Sequence, residues 1–262
     1  MDHQAVLAEY DLTVRRGARP DSPTARIGSD GAVVRQDGAE HDWHGVLWSG
    51  LDGESADAVI AEQVRHFGSL GREFEWKAYS HDRPADLGAR LLAAGFTAEP
   101  AETLLVAEVA GQSAEPVLPD GVHLLPVTDE DGVRLMVEAH EKAFGAEQAA
   151  RGERIGRQVL ARLTGAPDDV VAVVAMAGGQ AVSSARMEVV PGTAFAGLWG
   201  GGTAPEWRGK GIYRALVAHR ARIAAERGIR YLQVDATEDS RPILQRLGFA
   251  ALSVTTPYVY TP

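Results

Sequence analysis

Residues 194–228 constrain this chain most. An apolar run, Ala194 to Gly200, opens into Gly200-Gly201-Gly202 and the segment Pro205-Glu206-Trp207-Arg208-Gly209-Lys210-Gly211. A helical pattern follows, with Ile212, Leu216, His219 and Ile223 on one face and Gly228 as its stop. A strand that feeds a helix through a glycine-rich turn belongs to a mixed α/β architecture. The turn also presents unpaired first-turn N–H groups and roughly half a positive charge, and its glycines let a ligand approach the backbone closely. Arg208 and Lys210 add charge, so the segment suits a phosphate. Two phosphate templates fail on it. Ala204 stands at the first glycine of a P-loop and Gly211 at its Ser/Thr. A dinucleotide fingerprint begun at Gly209 ends on Arg214.

The flanking patterns extend the reading in both directions. Upstream lie a strand His123–Val127, a helix opened by Asp129, Glu130 and Asp131 with Val133, Met136, Val137, His140 and Phe144 on one stripe, a helix 149–163, and strands 170–176 and 181–190. Downstream lie a strand Tyr231–Asp235, a short helix begun by Ser240 and closed at Gly248-Phe249, and a strand towards Tyr260. The first half repeats much of this order: strand 44–50, helix 56–67, strand 74–80, a helix ending at Gly95-Phe96, strand 102–109. Leu91-Leu92-Ala93-Ala94-Gly95-Phe96 echoes Leu244-Gln245-Arg246-Leu247-Gly248-Phe249, and Leu47-Trp48 echoes Leu198-Trp199. The segment 111–120, with two prolines and a glycine, reads as a linker. We therefore expect an α+β (mixed α/β) fold of two tandem units, 1–112 and 120–262, each a mixed, mostly antiparallel sheet flanked by helices.

Composition narrows the function. The chain has no cysteine, which excludes disulfides, thiolate metal sites and cysteine nucleophiles. No apolar run approaches the roughly 18 residues that cross a bilayer, and the N-terminus lacks a signal-like pattern, so a cytoplasmic protein without a membrane partner is expected. The net charge of −10 argues against a nucleic-acid partner. Residues 1–118 carry 20 acids against 10 Lys and Arg, and the remainder carries 16 of each, so a polyanionic ligand belongs to the second half.

Arg208-Gly209-Lys210-Gly211-Ile212, set between a strand and a helix, meets the R/Q-x-x-G-x-G/A loop. From Val122 to Tyr260 the chain resembles the Gcn5-related N-acetyltransferases (GNAT superfamily); Tyr213 departs from the usual small residue. The resemblance implies acetyl-CoA as cosubstrate, no metal, and transfer of an acetyl group to a primary amine of a small molecule or peptide. It implies main-chain contacts to pantetheine from Gly201, Gly202 and Thr203, a pyrophosphate at Arg208, Gly209, Lys210, Gly211, Ile212 and Tyr213, and further cofactor contacts at Thr237 and Ser240, for which helix capping is an equal explanation. The first unit would be a degenerate copy: its strand-to-helix segment, Leu51-Asp52-Gly53-Glu54-Ser55-Ala56-Asp57, has three carboxylates and no cation.

The expected catalytic groups are missing. The family's glutamate has no counterpart in residues 193–199, and Leu244 stands where a tyrosine acid is common. Asp235 and Glu188 are the candidate substitutes, with His140, Glu141, His219, Tyr258 and Tyr260 behind them. His41-Asp42-Trp43-His44 is too sparse for a metal site. A non-catalytic acyl-CoA-binding regulator is the alternative. The acidity of the chain suits a cationic acceptor.

Overall fold

A computed structural model describes residues 1–40 and 42–262; His41 lies outside them. In chain order the elements are α1 (His3–Tyr10), continued by a π-helical turn (Asp11–Arg16), β1 (Arg26–Ser29), β2 (Val33–Asp37), β3 (Gly45–Ser49), α2 (Ala56–Ser69), β4 (Phe74–Tyr79), α3 (Leu87–Ala93), β5 (Thr97–Ala98) and β6 (Glu102–Glu108). They are followed by β7 (Val122–Val127), α4 (Glu130–Phe144), α5 (Ala149–Gly165), β8 (Val170–Ala177), β9 (Gln180–Val189), β10 (Phe195–Thr203), α6 (Ile212–Glu226), β11 (Tyr231–Ala236), α7 (Arg241–Arg246) and β12 (Ala250–Tyr260). The expected elements all form; α1 and its π turn, β1, β2 and β5 are additions.

The fold is mixed α/β and divides into two compact units. Unit 1 is Met1–Leu105, Asp235–Gln245 and Ala250–Pro262; unit 2 is Val106–Val234 and Arg246–Phe249. The expected split at 112–120 differs from this grouping, which interleaves the two ends of the chain. The reason lies in strand pairing: β12 runs antiparallel to β4, from Thr255 opposite Tyr79 to Tyr260 opposite Phe74. The last strand thus completes the sheet of the first unit.

In unit 1, β1, β2 and β3 are antiparallel neighbours, β3 runs parallel to β4, and β12 follows. The parallel step requires a crossover, which α2 supplies. Ala56, Ile60, Gln63 and Phe67 form the buried stripe of α2 at helical spacing. Phe67 stacks on Phe74 (centroids 4.2 Å), and Phe96 meets Phe74 edge-on (5.2 Å).

In unit 2, β7, β8, β9 and β10 are antiparallel in that order, and β11 joins β10 in parallel. The unbroken apolar run of β8 is explained by burial on both faces. Ala172, Val174 and Met176 pack with Val133, Met136 and Val159 from α4 and α5; Val173, Ala175 and Ala177 pack with Ile212 and Leu216 from α6. Asp129 caps α4 by accepting from Gly132 N–H at 2.8 Å. No helix among the described residues is long and apolar enough to cross a membrane.

Candidate functional site

The glycine loop is built in unit 2 by two local events. First, β10 and β11 pair only from Phe195 opposite Tyr231 to Gly197 opposite Gln233, while β10 continues to Thr203. Beyond Gly197 that edge of β10 has no ladder partner among the described residues. The Oε1 of Gln233, at the last pair, is buried without a hydrogen-bond partner. On the other edge, pairing with β9 slips between Trp199 and Gly202, where Gly200 takes φ +61°. Second, Gly209 and Gly211 adopt φ +74° and +86°, left-handed backbone that glycine enters without a Cβ penalty. Gly211 is the N-cap of α6 and supplies no side chain to its first-turn amides.

The side chains of the loop have their own partners. Arg208 donates from Nε to the Thr203 carbonyl (3.0 Å) and from a terminal nitrogen to the Ala143 carbonyl (2.8 Å). Lys210 lies over the Trp207 ring, 4.4 Å from its centroid. Both cations therefore brace the loop. Ile212 is buried in the core with Leu216, so only its backbone is available to a ligand.

The smallness of Gly201 and Gly202 is used internally. A Cβ on Gly201 would stand 2.7 Å from Tyr213 Cε2, and one on Gly202 would meet Phe144 Cε2 at 2.5 Å and Ala143 Cβ at 2.8 Å. Tyr213 thus fills space next to Gly201; burial raises its pKa, and Arg220 partly offsets that. Thr203 Oγ1 bonds Ser183 Oγ at 2.9 Å, and that serine also donates to the Gly202 carbonyl at 2.6 Å.

The two candidate bases are both ion-paired. Asp235, expected to face an open gap from strand alternation, belongs to unit 1; its side chain is 2% exposed and pairs with Lys77. The alternation misleads because β11 is buried on both faces. Glu188 sits in unit 2 between Arg186 (2.7 Å) and Arg162 (3.1 Å). Burial alone would raise its pKa, but the two guanidiniums outweigh that and hold it below the ordinary value. A carboxylate held that way is a weak base. Thr237 and Ser240 also belong to unit 1 and hydrogen-bond each other at 3.3 Å.

The remaining candidates separate cleanly. His219 is only half-buried on α6, whereas Arg220 beside it is fully buried. Arg220 donates to the carbonyls of Leu216 (3.0 Å) and Arg186 (2.9 Å); burial lowers its pKa to about 10. Tyr258 and Tyr260 pack against the unit 1 core, and Leu244 is buried. Glu141 is exposed. Asp42 accepts from Ser22 (2.6 Å), Thr24 (2.8 Å) and the Ala39 amide (2.7 Å), which holds a loop.

His140 differs from all of these. It lines a narrow cleft in unit 2 with Met136, Gly152, Ile155, Arg186 and Gly200. Its Nε2 is buried without a hydrogen-bond partner among the described residues. Burial lowers its pKa, and Arg151 and Arg186 lower it further. A second groove, about 190 Å³, runs beside α6 between Gln112, Val117, Arg214, Ala218 and Leu247. Arg186, Arg162 and Arg220 carry no sequence signal, because each is recognised only by what the fold sets against it.

Residues 137–249 match the model of the acetyltransferase (GNAT) family. The chain carries a GNAT acetyltransferase domain. Solved structures share the fold along nearly the whole chain. A GCN5-related N-acetyltransferase from Kribbella flavida is 17% identical, with a TM-score of 0.69, over 99% of this chain and 94% of that one. A tandem GNAT protein from the clavulanic acid biosynthesis pathway is 16% identical, TM-score 0.61, over 99% and 95%. A GCN5-related N-acetyltransferase from Sphaerobacter thermophilus is 13% identical, TM-score 0.63, over 98% and 84%. At these identities the likeness concerns the fold. No curated protein sequence matches the chain. Acyl transfer is the general chemistry of the GNAT family.

Proposed function

We propose that the protein is an acyl-CoA-dependent N-acetyltransferase that moves an acetyl group from acetyl-CoA to a primary amine, with the cosubstrate held by unit 2. The observation that carries this reading is the open N-terminus of α6, reached through Gly209 and Gly211 in left-handed conformation, next to an edge of β10 that has no ladder partner.

The residues fit the cosubstrate on three counts. No atom lies within 4 Å of where a Cβ on Gly209 would stand, so a pyrophosphate can reach the backbone there. The free edge of β10 suits a pantetheine arm bonded to the main chain, and the orphaned Gln233 Oε1 suits an amide N–H from it. Arg214, in the first turn of α6, lines the groove beside that helix. Arg208 acts by fixing Thr203 and the end of α4, and Lys210 by fixing Trp207.

Acetyl-CoA supplies a thioester, whose carbonyl carbon accepts an amine and whose thiolate departs. Unit 2 contributes orientation, backbone donors and a route for the proton. The slip at Trp199/Gly202 frees amides around Gly200 from the β9 ladder, where an N–H group can stabilise charge developing on the carbonyl oxygen. Thiolate is a tolerable leaving group at neutral pH, so Leu244 in place of a tyrosine acid is a small loss. Glu188 and Asp235 are held by cations, so the amine proton goes elsewhere.

The test is calorimetric titration with CoA alongside thiol release from acetyl-CoA over a panel of amines. CoA binding together with amine-dependent thiol release supports the reading. CoA binding without turnover of any amine favours a non-catalytic acyl-CoA-binding regulator, a reading to which the lack of a carboxylate on β10 lends weight.

A further inference from the structure

We propose that the cleft around His140 is the acceptor site, and that it takes an amine carrying its own acidic group, the acid toward Arg186 and the amine toward Nε2 of His140, which removes the proton. This rests on the acyltransferase reading above.

The position comes first. His140 on α4, Arg186 on β9 and Gly200 at the β10 irregularity line one cleft. Gly200 is where we place the reacting carbonyl, so the acceptor nitrogen has to be delivered here.

The imidazole is set for its task. Phe144 holds it, ring centroids 4.6 Å apart. Gly152 on α5 makes room: a Cβ there would lie 3.0 Å from His140 Cδ2. Glycine inside a helix costs about 1 kcal/mol relative to alanine, so the vacancy is not free. The charges acting on the ring come from Arg151 on α5 and Arg186 on β9; both favour the neutral imidazole, as burial does. A neutral ring with a buried, unpartnered nitrogen is a base ready to accept.

The charge of the cleft selects the acceptor. Arg186 donates Nε–H to Glu188, and Arg162 binds the same carboxylate. The terminal N–H groups of Arg186, whose side chain is 15% exposed, have no protein acceptor among the described residues. A largely buried guanidinium with free N–H groups matches a carboxylate or phosphate. A bare ammonium is repelled, so the expectation of a cationic acceptor, drawn from the net charge of −10, reverses at the site itself.

The step balances. The amine lone pair attacks the thioester carbonyl carbon, the N–C bond forms, the C–S bond breaks, and the thiolate leaves with the bonding pair. The proton from nitrogen passes to His140 Nε2 and from there to solvent.

The experiment uses the full chain and matched pairs: L-alanine against L-alaninamide, and O-phosphoethanolamine against ethanolamine. The first pair probes a carboxylate and the second a phosphate. Alaninamide is the weaker base and offers more free amine, so a preference for alanine cannot come from basicity. We expect the acidic member of at least one pair to win by about tenfold in kcat/KM, and Arg186→Gln to erase that preference while Arg186→Lys keeps part of it. His140→Gln lowers kcat by about 10²-fold and removes the acid limb of the pH profile, with CoA affinity unchanged. Without CoA, calorimetric binding of the preferred acidic amine survives His140→Gln and is lost in Arg186→Gln. Equal or reversed preference in both pairs, or an unchanged pH profile in His140→Gln, overturns this inference alone. Failure of the wild-type chain to bind CoA, or to turn over any amine, overturns the acetyltransferase reading and this inference with it.

Discussion

The Lys77 ammonium is ion-paired with the Asp235 carboxylate across 158 positions of sequence, inside unit 1. The two side chains are 17% and 2% exposed. Close by, the hydroxyls of Tyr10 and Tyr79 are 3.2 Å apart. Burial, with the Asp235 charge adding to it, pushes the Tyr10 pKa up to about 12. The carboxylate that strand alternation offered as a catalytic base is therefore part of a buried polar cluster that ties the C-terminal segment to the first unit.

Breaking that pair leaves a buried charge without its partner, at a cost of about 3–5 kcal/mol. Lys77→Met is expected to lower the denaturant midpoint strongly. Burial alone would lower the Lys77 pKa, but Asp235, Glu75 and Tyr10 raise it above its ordinary 10.5. Its contribution is then complete below pH 10.5 and is lost as pH rises through the higher folded value. Urea unfolding across the alkaline range should show a steeper decline in the wild type than in Lys77→Met, where the buried Tyr10 and Tyr79, whose pKa values are also raised, still contribute. The same alkaline slope in both would remove Lys77 as a contributor to it.

Glu188 has the opposite sign. Its pKa is depressed below 4.5 in the folded chain by Arg186 and Arg162, against burial. Its stabilisation is present above pH 4.5 and lost as pH falls through the lower folded value. Glu188→Gln should be less stable at neutral pH, with the gap to wild type closing in acid; a gap that stays constant below pH 4.5 would contradict the ion-pair account.

Gly211→Asp puts a carboxylate and a strained φ of +86° at the N-terminus of α6. CoA affinity should fall about tenfold or more, which requires only about 1.4 kcal/mol. Arg208→Gln should weaken CoA binding less, because its guanidinium serves the carbonyls of Thr203 and Ala143. Equal affinity of Gly211→Asp and wild type by calorimetry would remove the loop from the cosubstrate site.

The first unit should take no CoA. Its counterpart segment already fills the approach to α2 with its own anion: Asp52 Oδ1 accepts from the amides of Glu54 (3.1 Å) and Ser55 (2.8 Å). A second anion there would meet that carboxylate at a cost of roughly 1 kcal/mol per like-charge pair at 4 Å even in water. Titration should reach one equivalent of CoA per chain; two equivalents would show that unit 1 binds as well.

What the sequence determined by itself is what depends on near neighbours. The order of elements, the acidic first turn of α4 at Asp129, the apolar run of β8 and the glycine turn that opens α6 follow from spacing and backbone chemistry within a few residues. Those properties also carry the family. What only the tertiary structure decided depends on partners far apart in the chain. Lys77 takes Asp235 out of contention, Arg162 and Arg186 do the same to Glu188, and the pairing of β12 with β4 moves the end of the chain into the first unit. The net charge of −10 is an average over the surface, whereas the charge at His140 is set by which residues face it. A Coulomb interaction depends on distance in space, and neither composition nor periodicity contains that distance.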